Sequence, residues 1–263
     1  MASNWNVRKS HSGVYPRKVV TMPGAVRLIV LAIVALFAAT LAAVSGFGGA
    51  AVLLPVLVVV FGVREAIPIL TVAQLIGNGS RAWFNRRELD WKVVGWFALG
   101  GVPTAIVGGV LFAHAPLAAL TRVLGAFLLL IVLWRHIRRG PEWRPPLKGF
   151  AVIGAVASFL SALLGSVGPL MAPLFLAYGL VKGAYIGTEA LSTVVMHVAK
   201  LIAYRRAAVL PIHAILVGLP LGAIMVIGSF VGKRIVDRLP GRVFVLIIEA
   251  TLVAAGLLFL WKG

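Results

Sequence analysis

The sequence predicts an all-α polytopic membrane protein, built from two homologous repeats of about four spanning helices, each with a glycine-broken segment. Three observations support this fold class. The 263 residues are 61% hydrophobic and 12% charged, with a mean hydropathy of +1.04, which is far outside the range of soluble domains. Apolar stretches close to the ~20 residues that span a bilayer cover nearly everything after residue 25. The order of these stretches recurs in the second half of the chain.

Ten apolar segments divide the chain into two sets. The first set lies near 26–44, 47–61, 65–84, 92–113 and 117–135, and the second near 147–163, 166–179, 183–204, 209–231 and 243–261. The connection between the sets is polar and rich in arginine and proline. We therefore expect a basic tail over 1–25, a first transmembrane repeat over 26–137, a linker over 138–146 and a second repeat over 147–263.

The net charge of +18 falls mainly at segment ends and in loops. Cations at these places set topology and meet anionic lipid headgroups, so the bilayer rather than nucleic acid is the expected partner. A basic surface also concentrates anions near it. The chain has no cysteine, which excludes disulfides and thiolate metal sites, and no cofactor or metal site is predicted. The basic tail predicts a cytoplasmic N-terminus on a protein of the cytoplasmic membrane.

Landmarks recur about 118 residues apart and in the same order. Pro55 corresponds to Pro173, and Ala66 corresponds to Ala184. The repetition indicates internal duplication, a common plan of secondary transporters that hold their substrate between the halves. With the N-terminus inside, the positions of the basic loops favour four net crossings per half, in which each broken pair counts as one crossing. This count makes the two repeats parallel rather than inverted.

Glycines interrupt the apolar run at matched places in the two halves. The first group is Gly46, Gly48 and Gly49, and the second contains Gly165 and Gly168. Backbone that is not helical is tolerated at membrane depth only where protein or a water-filled cavity covers it. The pattern predicts two broken helices that face one cavity, with half-helix N-termini suited to an anion. The alternative is that the glycines only allow close helix packing.

Two polar stripes follow the predicted breaks at helical spacing. One contains Thr71, Gln74, Asn78 and Arg81, and the other contains Glu189, Ser192 or Thr193, His197, Lys200 and Tyr204. Interhelical hydrogen bonding is one alternative, and snorkelling of Arg81 and Lys200 to the headgroups is another. The candidate substrate-binding residues are Ser45, Gly46, Gly48, Gly49, Gln74, Asn78, Gly165, Ser166, Gly168, Ser192 and Lys200. The candidates for proton coupling are Glu189, His197 and Glu249.

The stretch "SGFGGAAVLLPVLVVVFGVREA" and its counterpart "LGSVGPLMAPLFLAYGLVKGAYIGTEAL" resemble the TauE/SafE family of sulfite exporters, and the likeness covers residues 26–261. The resemblance implies a permease with about eight spanning helices that moves small anions, typically sulfite or organosulfonates, out of the cell. It places functional residues at 46–49 with Pro55, and at 165–168 with Pro173. The second half has Ser166, Val167 and Pro169 instead of the fuller glycine cluster, which predicts an asymmetric site.

These observations together predict a secondary transporter, not an enzyme, that moves a small inorganic or organosulfur anion by alternating access, with the proton as a candidate coupling ion. Two alternatives stay open. One is a membrane-embedded hydrolase of anionic lipids, with Ser80 beside Arg81 and His197 as its base. The other is a passive anion channel. The sequence is also compatible with a homo-oligomer.

Overall fold

The computed structural model describes residues 24–46, 49–116, 144–180 and 182–235, with single positions between 119 and 133 and residue 257. The regular structure of the four continuous ranges is α-helical. Its helices are α1 (Gly24–Ser45), α2 (Gly49–Phe61), α3 (Val63–Phe84), α4 (Trp91–His114), α5 (Gly149–Leu164), α6 (Gly168–Tyr178), α7 (Lys182–Arg206) and α8 (Ile212–Ile235). These bounds lie within a few residues of eight predicted segments. The predicted basic tail, most of the linker and the segments near 117–135 and 243–261 lie largely outside the described residues.

Four helices of the described part are long and apolar enough to cross a membrane, namely α1, α4, α7 and α8. The polar helix α3 has a comparable length of 22 residues. In contrast, α2 has 13 residues and α6 has 11, so they extend only about 20 and 17 Å at ~1.5 Å per residue. The hydrocarbon core is ~30 Å thick, so α2 and α6 are half-helices that cannot cross it.

Apolar side chains face outward and polar side chains face inward. Leu99 and Val152 are 64% and 67% exposed, whereas Gln74 and His197 are both 3% exposed. A soluble protein has the opposite distribution, because water solvates its outer face. This arrangement is that of a membrane protein with a polar interior.

The helical path is interrupted at both places where the sequence predicts a break. Helix α1 ends at Ser45 and is followed by Gly46 with φ +78°, and α5 ends at Leu164 and is followed by Gly165 with φ +82°. Glycine adopts such positive angles without the steric cost that other residues pay. The half-helices α2 and α6 start at Gly49 and Gly168, which is three positions after each of these glycines.

The two halves run in opposite directions. The end of α3 lies beside the start of α7, because Arg81 Nη2 is 3.3 Å from Glu189 Oε2 and the N–H of Asp90 donates to Thr188 Oγ1 at 3.0 Å. At the other end Tyr204 of α7 reaches Thr71 of α3. Helices α3 and α7 are therefore antiparallel, and the expected parallel orientation of the halves is wrong.

The reason is that α1 and α2 form a hairpin rather than one interrupted crossing. Arg27 near the start of α1 donates to Val60 O near the end of α2 at 3.5 Å, and its guanidinium lies 4.2 Å from the centre of the Phe61 ring. The hairpin returns to the face from which it starts and adds no net crossing. We call this side, where α3 begins, the Glu65 face, and the side where α3 ends the Glu88 face.

Helices α4 and α8 each pack against the other half. Helix α4 packs along α5 and α7, and α8 packs along α1 and α3. A Cβ on Gly100 would overlap the carbonyl of Ala151, and one on Gly228 would lie 2.6 Å from Leu36 O. Small residues at these contacts let the backbones touch. Close packing thus accounts for glycines of α4 and α8, while Gly46 and Gly165 mark the breaks.

Candidate functional site

Both breaks and both polar stripes meet at one cavity between the halves. The cavity has a volume of about 40 Å³. One water needs about 10–15 Å³, so the space holds about three waters or one small oxyanion. The polar side chains that line it are Gln74, Asn78 and Arg81 from α3, Ser161 from α5, Ser166 from the second break, and Glu189, Thr193 and His197 from α7.

Most of the predicted site residues are brought together here. Besides the side chains just named, Gly49, Gly165 and Gly168 line the cavity. Gly46 lies beside it and contributes its carbonyl to Arg81. Ser192 is buried but does not line the cavity, where its neighbour Thr193 takes the place. Gly48, Glu249 and the side chain of Ser45 lie outside the part of the chain that the structure describes.

The cavity is rich in hydrogen-bond donors. The half-helices α2 and α6 begin at its wall, at Gly49 and Gly168. The first N–H groups of a helix have no partner within the helix and carry partial positive charge. At the start of α6 this leaves the N–H of Gly168, because Pro169 has none and the N–H groups of Leu170 and Met171 donate to Val167 O. Gln74 Nε2 and His197 Nδ1 are buried at the same wall without a hydrogen-bond partner. Because buried polar groups are normally paired, these donors suit a ligand that accepts hydrogen bonds, and His197 Nδ1 joins them in the tautomer that carries its proton there.

Arg81 closes one end of the cavity. Its Nη1 donates to Ala42 O at 3.1 Å and to Gly46 O at 2.7 Å, both at the end of α1, and its Nη2 donates to Asn78 Oδ1. The side chain is 5% exposed, so the alternative that Arg81 snorkels to the headgroups is wrong. Arg81 was not among the predicted binding residues. Its helical spacing from Asn78 on the same polar stripe could have identified it.

Lys200 lies at the opposite end of the cavity. It is completely buried, and its Nζ donates to Ser161 Oγ at 3.0 Å. Snorkelling is therefore wrong for Lys200 as well. Lys200 does not itself line the cavity, and Ser161 stands between the two. Among the described residues no carboxylate pairs with this amino group, and the hydrogen bond to Ser161 is its polar contact.

Ser161→Ala is expected to lower the free energy of unfolding by about 1–3 kcal/mol, because it removes the hydrogen-bond partner of a buried amino group. Ser158→Ala is the matched control on the same helix. Its Oγ is buried without a partner, and we expect its removal to cost little. Unfolding of the purified variants in detergent measures the difference. Equal losses at the two serines would show that the Lys200 contact does not stabilise the fold.

A second, larger cavity lies on the Glu88 face. It has a volume of about 240 Å³, and we call it the vestibule. Its charged lining consists of Arg81, Glu88, Lys182 and Lys233, so cations exceed acids. Arg81 lines both the vestibule and the inner cavity. Arg81 therefore lies between the inner cavity and the vestibule.

The opposite end of the inner cavity is packed with aromatic side chains. The rings of Phe112 and Tyr204 are both buried, with centroids 5.3 Å apart. The Tyr204 hydroxyl donates to Ala162 O near the end of α5. These side chains fill space between the halves toward the Glu65 face, and Arg81 lies where the inner cavity and the vestibule meet.

The chain matches a family model described as Sulfite exporter TauE/SafE over residues 31–259, which is nearly its whole length. No curated protein and no solved structure matches it. The resemblance inferred from the two glycine-rich stretches is therefore confirmed at the level of the family.

Proposed function

Since the chain belongs to the TauE/SafE family of sulfite exporters, we propose that it is a secondary transporter that moves a small oxyanion, sulfite or an organosulfonate, across the cytoplasmic membrane. The observation that carries this proposal is the inner cavity, where two half-helix N-termini and unpaired buried donors converge. Discontinuous helices in transporters hold anionic groups in this way. The small volume favours sulfite over bulkier sulfonates in this conformation.

The proposed contacts of the anion follow from the donors at the wall. N–H groups at the start of α2 and the N–H of Gly168 at the start of α6 approach from two sides, and the Gln74 amide adds a side-chain donor. Arg81 supplies the positive charge at the vestibule end. Ordered donors in so small a cavity interact strongly with an anion, because few waters screen them.

We further propose that the halves are inverted repeats. In alternating access each half then adopts the conformation of the other, which opens the site to the opposite side of the membrane. Several contacts recur in both halves and support this proposal. Arg81 bonds to Ala42 near the end of α1 and Lys200 bonds to Ser161 near the end of α5, and the two members of each pair, Arg81 with Lys200 and Ala42 with Ser161, lie 119 positions apart. Gly46 faces Tyr185 of the other half, and Gly165 faces Ile67 of the first.

The two alternatives are less well supported. A passive channel requires a continuous path, whereas the buried rings of Phe112 and Tyr204 fill the space between the halves toward the Glu65 face. A hydrolase requires Ser80 near His197. Ser80 Oγ instead donates to Gly77 O within its own helix at 2.7 Å, and Ser80 does not line the cavity that contains His197.

Flux measurements in liposomes test the proposal. Purified protein is reconstituted, and sulfite, sulfate, sulfoacetate and a neutral solute are followed with and without an imposed pH gradient. We expect saturable sulfite flux and no flux of the neutral solute. A large current that does not saturate would favour the channel, and absence of flux for every anion in vesicles with verified insertion would overturn the proposal.

Gly49→Val is expected to reduce sulfite flux at least about tenfold, equivalent to ~1.4 kcal/mol of lost interaction. A Cβ at this position lies 3.4 Å from Gln74 Nε2 and 3.1 Å from Ala42 Cβ, so the added methyl groups compete with the anion for space. Gly95→Ala, which adds a Cβ where nothing lies within 4 Å, is the control and should keep full flux. Unchanged flux in a folded Gly49→Val protein would contradict the location of the site.

A further inference from the structure

Arg81 lies where the inner cavity and the vestibule meet, on the route that an anion would take between them. It lines both of them, and it is held by four groups: the carbonyls of Ala42 and Gly46, the Asn78 amide oxygen and the Glu189 carboxylate. Three of these groups form hydrogen bonds with it. The fourth, Glu189, is the one carboxylate among the four groups.

Glu189 contacts Arg81 through a salt bridge. Its Oε2 lies 3.3 Å from Arg81 Nη2, but the alignment is too poor for a regular hydrogen bond. Its Oε1 accepts a hydrogen bond from Thr193 Oγ1 at 3.2 Å. The carboxylate is thus anchored on its own helix and faces the guanidinium at salt-bridge distance. Of the four partners, it is the one anion, and an incoming anion can replace it on Arg81 with little loss of well-aligned hydrogen bonds.

We propose that Glu189 occupies the place on Arg81 that the substrate anion takes during transport, so that anion passage and release of Glu189 are one exchange. The inference rests on the proposed transport function and deepens it. The carboxylate and the incoming oxyanion both present oxygen acceptors to the same guanidinium. In the conformation seen here, the Glu189 carboxylate keeps Arg81 in place between the vestibule and the inner cavity.

The exchange has a consequence for protons. A buried carboxylate that loses its cation is strongly disfavoured, so Glu189 takes up one proton from water of the vestibule when the anion binds Arg81. When the anion leaves Arg81, Glu189 returns this proton to water and pairs again with Arg81. One proton is therefore taken up for each anion that binds Arg81.

Among the residues that the structure describes, no other carboxylate lines the inner cavity. Tyr185 and His197 lie on its own helix, and Arg81 is the titratable residue that faces it from α3. Glu88, Lys182 and Lys233 line the vestibule. Within the described residues, α1, α2, α5 and α6 contribute no titratable side chain to the cavity wall.

Sulfite binding to the purified protein in nanodiscs tests the exchange. Titration calorimetry in two buffers of different ionisation enthalpy gives both the affinity and the number of protons taken up. We expect Glu189→Gln to bind sulfite more tightly by a factor in the usual range of coupled ligands, about 5- to 150-fold, and to take up one proton fewer than the wild type. Glu65→Gln, an acid-to-amide change on the distant Glu65 face, should match the wild type in both quantities.

Glu189→Asp keeps the charge and provides a second comparison if Glu189→Gln does not fold. Its carboxylate is one methylene shorter and holds Arg81 less well, so we expect tighter sulfite binding with proton uptake retained. The exchange would be overturned if the wild type binds and moves sulfite and the folded Glu189 variants match it in affinity and in proton uptake. The transport function would then stay intact. A wild-type protein that neither binds nor moves any oxyanion would overturn the transport function, and the exchange with it.

Discussion

Replacing Arg81 by methionine is expected to abolish sulfite flux and to lower the free energy of unfolding by about 3–5 kcal/mol. The loss of stability arises because Glu189 stays buried, at 2% exposure, without its cation. The carbonyls of Ala42 and Gly46 also lose their donor. Flux is lost because the inner cavity no longer has a positive group at its vestibule end.

The double variant Arg81→Met/Glu189→Gln separates these two effects. Removal of both charges leaves no unpaired ion, and replacement of a buried pair by neutral groups is often close to neutral for stability. We expect most of the stability to return while flux stays absent. Arg87→Met, which changes an exposed arginine of the loop before α4, is the control and should affect neither quantity.

Unfolding in detergent and flux in liposomes are measured on the same preparations. Sulfite transport by the folded Arg81→Met protein would show that Arg81 is not on the path of the anion. A double variant as unstable as the single one would show that the cost of Arg81→Met arises from the helix end rather than from Glu189.

Hydropathy alone located the helices, since uninterrupted apolar runs in a membrane protein have little alternative to helix formation. It did not determine their direction. The basic loops fit a scheme in which each broken pair crosses once, whereas contacts such as Arg27 with Val60 show that α1 and α2 return to one face. A loop charge reports the side of the membrane only when the number of preceding crossings is known.

Helical spacing predicted which faces of α3 and α7 contribute to the site. The stripes on α3 and α7 follow from polar residues three or four positions apart, and both contribute to the cavity. Spacing could not choose between Ser192 and Thr193, which are adjacent on the helix. It also could not distinguish a buried Arg81 from a snorkelling one, because the difference depends on Gly46 O, which is 35 positions away in the chain.

Gly46→Ala is expected to have the second largest effect, a loss of about 2–5 kcal/mol in the free energy of unfolding. Two costs add at this position. The φ of +78° costs a residue with a Cβ about 1–2 kcal/mol, and that Cβ would overlap the Tyr185 ring, 2.6 Å from its hydroxyl oxygen, which adds the ~1–3 kcal/mol of an overpacked core. Movement of the ring or of the break also displaces Gly46 O from Arg81, so we expect flux to fall with stability.

Gly165→Ala is the matched comparison, because it shares the backbone cost but not the overlap. At φ +82° its Cβ would lie 3.2 Å from Ile67 Cγ1 and 3.3 Å from Leu54 Cδ2, which are tight contacts with flexible aliphatic side chains. Gly79→Ala adds a Cβ to helix α3 where nothing lies within 4 Å, and removal of a helical glycine should stabilise the protein slightly. We therefore expect unfolding temperatures to fall in the order Gly79→Ala, Gly165→Ala, Gly46→Ala. Equal losses at Gly46 and Gly165 would mean that backbone strain alone sets the cost, and that the Tyr185 ring moves aside freely.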